Sequence, residues 1–181
     1  MHVLNTPRLF LTPLTRALMW RRMSAEGKAG FEAAVDGPDG KVTVQLPGEW
    51  PGDFLPMLAV LLAGGADVVD GAYVAVERAS LTAVGQLSTK GWPDKHGAIE
   101  IGYGLTPQAQ GRGLATEAVG ALLASLEARP DVNTVTAQTL PSNLASQRVL
   151  TKLNFERTAQ AWDTEDGDLW VWTWRRRPLH T

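Results

Sequence analysis

Apolar and polar positions recur along this chain with two different periods, and the switches between them outline its elements. From Ala98 to Leu105 (AIEIGYGL), Ile99, Ile101, Tyr103 and Leu105 take every second position, which predicts a strand with one covered face. The other face carries Glu100, Gly102 and Gly104, and two glycines on one face let another molecule approach the backbone. After Thr106-Pro107 the spacing lengthens. Leu114, Ala118, Ala121, Leu122 and Leu126 predict a helix running to Arg129-Pro130. Period two returns in Val132 to Thr139. A second helix is predicted beyond it, with Ser142 or Asn143 as N-cap and Leu144, Val149, Leu150 and Leu153 as its stripe. Asn154 tolerates the left-handed conformation that ends helices. Phe155 to Asp163 and Asp168 to Arg175 then read as a hairpin around Glu165 to Gly167.

The first half is less regular. Arg8 to Leu14 (RLFLTPL) reads as an opening edge strand with Pro13 near its end. Ala17 to Val35 carries Leu18, Met19, Met23, Phe31 and Val35 in a weakly helical pattern interrupted by Gly27 and Gly30. Asp36 to Gly52 reads as a loop around a brief Val42 to Leu46 alternation. Phe54 to Ala63, broken by Pro56 and closed by Gly64-Gly65, suits a short buried or groove-lining helix. Tyr73, Val74 and Val76, a polar turn at Glu77 to Ser80, and Thr82 to Ser88 form a hairpin. Through the turn at Gly91 to Gly97 it joins the Ala98 strand in a three-stranded meander. The helix between that strand and Val132 to Thr139 is a crossover, which predicts locally parallel strands in a mixed sheet, an α/β sandwich.

Composition narrows the function. At 181 residues and 44% hydrophobic content the chain is expected to form one domain, residues 1–181. Seventeen Lys and Arg against 19 Asp and Glu leave a formal charge of -2, so no nucleic-acid partner is expected. The absence of cysteine excludes disulfides, thiolate ligands and a cysteine acyl-enzyme. His2, His96 and His180 lack ligand spacing, and no metal is assigned. With no signal-peptide pattern at Met1 to Arg8 and no uninterrupted run of about 18 apolar residues, a cytoplasmic location without membrane association is expected.

The segment richest in chemistry is Gln110-Gly111-Arg112-Gly113-Leu114-Ala115-Thr116, where small residues lead directly into a strongly helical run. A helix N-terminus offers unpaired N–H groups and the positive end of its dipole, and glycines let phosphate oxygens reach them. Arg112 adds charge. On glycine spacing alone, Gly111 and Gly113 read equally well as a plain tight turn. The Walker pattern fails for want of a Gly-Lys-Ser/Thr ending, and the dinucleotide fingerprint lacks its third glycine.

With these residues the chain resembles the GNAT superfamily of N-acetyltransferases. Their Gln/Arg-x-x-Gly-x-Gly/Ala cradle is matched by Gln110, Gly113 and Ala115. A second family element is visible from Asn143 through Ser146 to Lys152-Leu153-Asn154-Phe155, with Asn154 in place of the usual glycine. Thr6-Pro7-Arg8-Leu9 and Glu100-Ile101-Gly102-Tyr103 look like the branch of ribosomal-protein N-terminal acetyltransferases. The resemblance implies a GNAT fold, with a mixed central β-sheet flanked by helices on both faces, and acetyl-CoA as co-substrate. It implies that the backbone of Tyr103, Gly104 and Leu105 lines the pantetheine arm, and that Gly111, Arg112, Gly113, Leu114, Ala115 and Thr116 hold the pyrophosphate. It further implies that Asn143 contacts the cofactor with Ser146 near it. The alternative for Asn143 is a plain N-cap, a role that can coexist with cofactor contact, and for Ser146 an ordinary surface hydroxyl.

Amine acetylation needs a neutral amine, a polarised carbonyl and a proton for the departing thiolate. An α-amine is roughly a quarter neutral at pH 7.4 against about a thousandth for a lysine, a difference of around 3 to 4 kcal/mol. Glu100 is the candidate base, since its parity places it beside Gly102 and Gly104; a structural carboxylate paired with a cation is the alternative. Relatives with a tyrosine acid in the second helix carry it where Leu150 stands, and those with a strand glutamate carry it where Gln138 stands. Ser146, Tyr103 or solvent is left to protonate the thiolate, unless it departs unaided. Trp170, Trp172 and Trp174 share one face of the last strand, for core packing or a homodimer contact, with a substrate platform the alternative, and Arg175-Arg176-Arg177 reads as a solvated tail, with steering of an acidic acceptor the alternative. Trp20, Trp50 and Trp92 lie where acceptor pockets form in the family, with packing the alternative for each. The expected reaction is direct transfer, in a ternary complex, from acetyl-CoA to a primary amine on a protein N-terminus or small molecule. The rivals are a non-catalytic acyl-CoA sensor and a nucleotide-binding regulatory domain.

Overall fold

The structure is a computed structural model describing residues 2–24, 26–64 and 67–176. Gly65, Arg177 and His180 lie outside the described residues. The chain divides into two compact units, one built from residues 1–88 and 103–122 and the other from 89–102 and 123–181.

In the first unit β1 (Leu4–Asn5), β2 (Leu9–Thr15), β5 (Val68–Glu77) and β6 (Thr82–Lys90) lie side by side in that order, each antiparallel to the next. Arg8 to Leu14 is therefore not an edge strand: β2 lies between β1 and β5. Pro13 is accommodated because β1 is only two residues long and pairs opposite Phe10 and Leu11, so no β1 residue needs the proline's missing N–H. Helix α1 (Arg16–Met23) is capped by Thr15, whose side chain accepts from the Leu18 N–H at 3.3 Å, and α2 (Leu55–Ala63) packs against it.

Phe31 and Val35 belong to no helix. They lie in β3 (Gly30–Gly37), which pairs antiparallel with β4 (Gly40–Pro47), Phe31 opposite Leu46 and Val35 opposite Val42. The Asp36 to Gly52 region is thus mostly hairpin rather than loop. Phe31, Val35, Val44 and Leu46 are buried in the core with Phe10, Leu14, Met19, Trp50, Leu58 and Val74. Each large apolar side chain so covered is worth about 1.5–3 kcal/mol, which explains why tertiary burial decides a segment whose local signals conflict.

The second unit holds the start of β7 (Ala98–Leu105), parallel to β8 (Thr134–Thr139) from Ala98↔Thr134 to Ile101↔Ala137, the arrangement the crossover predicts. β8 pairs antiparallel with β10 (Gly167–Arg175), and β10 with β9 (Glu156–Asp163). α3 (Leu114–Glu127) connects β7 to β8 in sequence, and α4 (Leu144–Lys152) follows β8. Asn154 has φ 62°, as its left-handed tolerance predicts. Trp172 is buried and donates its indole N–H to Thr139 Oγ1 at 3.0 Å, while Arg157 stacks 4.3 Å over Trp170. Arg176 is no solvated tail, because its guanidinium donates to the carbonyls of Glu127 and Arg129.

Candidate active site

The cradle forms where β7 ends. The Thr106 N–H reaches back to the Val84 carbonyl at 2.9 Å, and a short turn follows at Pro107–Ala109. Gln110 then donates its side-chain amide to the Leu105 carbonyl at 3.3 Å, bracing the strand end against the loop. Gly111 and Gly113 take φ of 72° and 78°, values that oppose any side chain, and residues 110–113 are all exposed. A Cβ on Gly111 would meet nothing within 4 Å. The first turn of α3, from Leu114 through Thr116, begins directly beyond. Its N–H groups have no i−4 carbonyl within the helix and sit at the positive end of its dipole. An open, glycine-lined approach to a helix N-terminus fits a phosphate group.

Two arginines flank the loop, and each is matched by a glutamate. Arg112 pairs with Glu77, so the guanidinium read as an added charge for phosphate is engaged by a carboxylate of β5. The Arg112 hydrogen bond, reinforced by Ser80 and the nearby Arg8 charge, holds the Glu77 carboxyl below its usual range. Arg8 pairs with Glu117 at 2.6 Å. Partial burial pushes Glu117 upward, but hydrogen bonds from Thr6 and Arg8 outweigh it and leave that carboxyl below its usual range too.

The strand end beside the cradle is closely packed in the same unit. A Cβ on Gly85 would come within 2.4 Å of the Gly104 carbonyl, so only glycine permits this approach of β6 to β7. Trp50, wholly buried, donates its indole N–H to the Gly85 carbonyl at 3.1 Å. A Cβ on Gly104 would sit 3.0 Å from Phe54 Cδ2, so the aromatic ring occupies the space that the missing side chain leaves. Of the three tryptophans expected near acceptor pockets, Trp50 is therefore core, whereas Trp20 and Trp92 are exposed, Trp92 with Arg129 5.5 Å from its ring.

In the other unit Glu100 is engaged at both carboxylate oxygens: Lys90 Nζ lies 2.5 Å from Oε1, and Gln138 Nε2 donates to Oε2 at 3.2 Å. The amide that stands where relatives carry a glutamate thus supports the one carboxylate on this strand. Asn143 caps α4, its side-chain oxygen accepting from the Ser146 N–H at 3.0 Å, so the N-cap reading holds. Leu150, at the position of the tyrosine acid of some family members, is fully buried.

The sequence-predicted residues fall into two groups. Tyr103, Gly104, Leu105 and Gln110 to Thr116 come together in the first unit, while Glu100, Asn143 and Ser146 lie in the second. Sequence reasoning missed Glu77, Glu117 and Phe54 and assigned Arg8 no role. Glu117 had one local signal, an acid in the first turn of a helix, where the dipole favours it.

Comparison with known proteins gives three further observations. A family profile described as "Acetyltransferase (GNAT) domain" matches residues 8–156. An uncharacterized N-acetyltransferase, YjdG of Bacillus subtilis (strain 168), is 30% identical over 113 residues, covering 60% of this chain and 67% of that protein. The fold matches that of RimL, the ribosomal L7/L12 alpha-N-protein acetyltransferase, in complex with coenzyme A: TM-score 0.61, 17% identity, 96% of this chain and 98% of that one. It also matches aminoglycoside acetyltransferase AAC(6')-Ib in complex with coenzyme A, with TM-score 0.59, 19% identity and coverage of 93% and 95%.

Proposed function

Because this chain belongs to the GNAT acetyltransferase family and has its α/β fold, we propose that it transfers the acetyl group of acetyl-CoA directly to a primary amine. We take residues 1–181 as one such domain. The observation that carries the cofactor assignment is the Gly111–Gly113 loop at the N-terminus of α3, exposed throughout and with open space beside Gly111. Acetyl-CoA supplies an acyl group on a thiol, and a thiolate, far less basic than an alkoxide, is a tolerable leaving group. The N–H groups of residues 111–116 are the proposed pyrophosphate contacts, with the Tyr103 to Leu105 backbone along the pantetheine arm and polarising the carbonyl. Asn143 and Ser146 are proposed cofactor contacts from the second motif, Ser146 also as a proton donor.

Glu100 is the proposed base. With Lys90 on one oxygen and Gln138 on the other, Glu100 has both carboxylate oxygens engaged before any acceptor arrives. A site so armed is best suited to an acceptor that is substantially neutral at the outset, which favours the α-amine of a protein or peptide over a lysine side chain. The fold does not choose, since the two matched structures are named for a ribosomal-protein N-terminus and an aminoglycoside.

The engaged Glu100 and buried Leu150 favour one other reading, an acyl-CoA sensor without turnover. Calorimetric titration with acetyl-CoA, CoA and ATP, followed by a thiol-release assay over peptides of varied N-terminus, polyamines and aminoglycosides, separates them. The transferase gives selective CoA binding and amine-dependent thiol release, greatest on peptides. Binding without release establishes the sensor, and preference for ATP overturns the cofactor assignment.

A further inference from the structure

The Thr6-Pro7-Arg8 segment takes no part in the chemistry proposed above, yet it converges on one carboxylate of α3. Glu117 Oε1 accepts from Thr6 Oγ1 at 2.6 Å and from the Arg8 backbone N–H at 2.8 Å, and Oε2 accepts from Arg8 Nε at 2.6 Å. The far end of the same guanidinium then reaches the cradle, where Nη1 donates to the Arg112 carbonyl at 2.9 Å.

That last contact has a geometric consequence. The Arg112 carbonyl and the Gly113 N–H belong to one trans peptide unit, so they point to opposite sides of it. Whatever holds the oxygen aims the N–H. The hold matters because Gly113, at φ 78°, is the residue type most free to let a peptide flip, and Gly111 at 72° lends the loop the same freedom. A flip would put a carbonyl oxygen where the cradle needs a donor, turning attraction for an anion into repulsion.

We infer that Arg8 is a positioning residue of the cofactor cradle, setting the Arg112–Gly113 peptide so that its N–H faces the ligand phosphate, and that Glu117 fixes Arg8 in that role. The inference rests on the reading of the cradle as a CoA site. It also distinguishes Arg8 from a direct phosphate ligand. An arginine acting by its own charge would keep its effect when Glu117 loses its charge, whereas a positioning arginine would not.

The test compares wild type with Arg8→Gln, Arg8→Lys and Glu117→Gln by three measurements: calorimetric Kd for CoA, melting temperature, and the Gly113 amide cross-peak with its hydrogen exchange. Arg8→Gln and Glu117→Gln are each expected to weaken CoA binding about tenfold, the scale of one charge-assisted hydrogen bond. Both should displace or broaden the Gly113 amide signal of the free protein, with Arg8→Lys intermediate. Unchanged CoA affinity in both variants overturns the proposal. So does weakened binding with the Gly113 amide signal left as in wild type, which would assign the pair to general stability. Loss in Arg8→Gln with none in Glu117→Gln makes Arg8 a direct ligand and overturns it too. If wild type itself does not bind CoA, the cradle reading fails instead, and the amide signal still reports whether Arg8 sets the peptide.

Discussion

A carboxylate already holding an ammonium and an amide is an unusual choice of base, and Glu100 is in that position. The pairing with Lys90 has 23% of the Glu100 side chain exposed, so water reaches it and the ion pair is worth little in stability. Replacing Glu100 with Gln should lower the rate of acetyl transfer by about a hundredfold, the lower end of the range for general base catalysis. CoA affinity should stay within about twofold, since the residue lies outside the cradle. Steady-state kinetics on the best peptide acceptor, with calorimetry in parallel, is the check; an unaltered rate would remove Glu100 from the mechanism and leave solvent as the base.

Among the elements, β6 carries an anomaly. The Gln86 side chain is fully buried and both its amide oxygen and nitrogen lack a hydrogen-bond partner. Opposite Val74 in the ladder with β5, it takes an apolar position in the sheet. An unpaired buried amide costs roughly 1–3 kcal/mol. Gln86→Met, close in volume and free of polar atoms, should therefore raise stability by about 1 kcal/mol or more, measured by urea denaturation. A loss of stability would mean that the amide is satisfied in solution. Nothing in the sequence flags Gln86, because a glutamine between Gly85 and Leu87 in an alternating segment reads as a solvent-facing position. The same limit hid the β3–β4 hairpin. Its apolar residues Phe31, Ala33 and Val35 do alternate, but Ala33 is small, Gly30 interrupts, and the paired partners Leu46 and Val42 lie across a turn that local periodicity does not register. Where one period runs unbroken, as in β7, α3 and β10, and where Asn143 and Asn154 punctuate α4, sequence and structure agree. The glycine turn leading into α3 was legible because its geometry lies in contiguous backbone. Its arginine and glutamate partners were not, being fixed by contacts between residues as far apart as Arg8 and Glu117.

For the molecule as a whole, acid is the condition to which these carboxylates answer. Glu77, Glu117, Asp94, Asp131 and Asp163 all have folded-state values held below the ordinary range, by hydrogen bonds from arginine side chains, Thr6 or backbone N–H groups. A carboxylate with a depressed folded pKa stabilises the fold fully above its unfolded value, and that contribution drains away as pH falls through the folded one. The melting temperature should accordingly be level from neutrality down to about pH 5 and fall as pH passes below about 4. Glu117→Gln should melt lower at neutral pH and show a shallower acid decline, in thermal scans across that range. A decline as steep as wild type's would show that Glu117 titrates alike in the folded and unfolded chain.

The pairing of both cradle arginines with glutamates bears on how a ligand arrives. Arg112 with Glu77 and Arg8 with Glu117 cancel locally, so these four residues cast little long-range field to draw a polyanion from solution. On the proposed reading, attraction at the loop begins at contact, where backbone dipoles meet the phosphate. The proposed cradle would then select by residence time, holding those anions that match its peptide geometry.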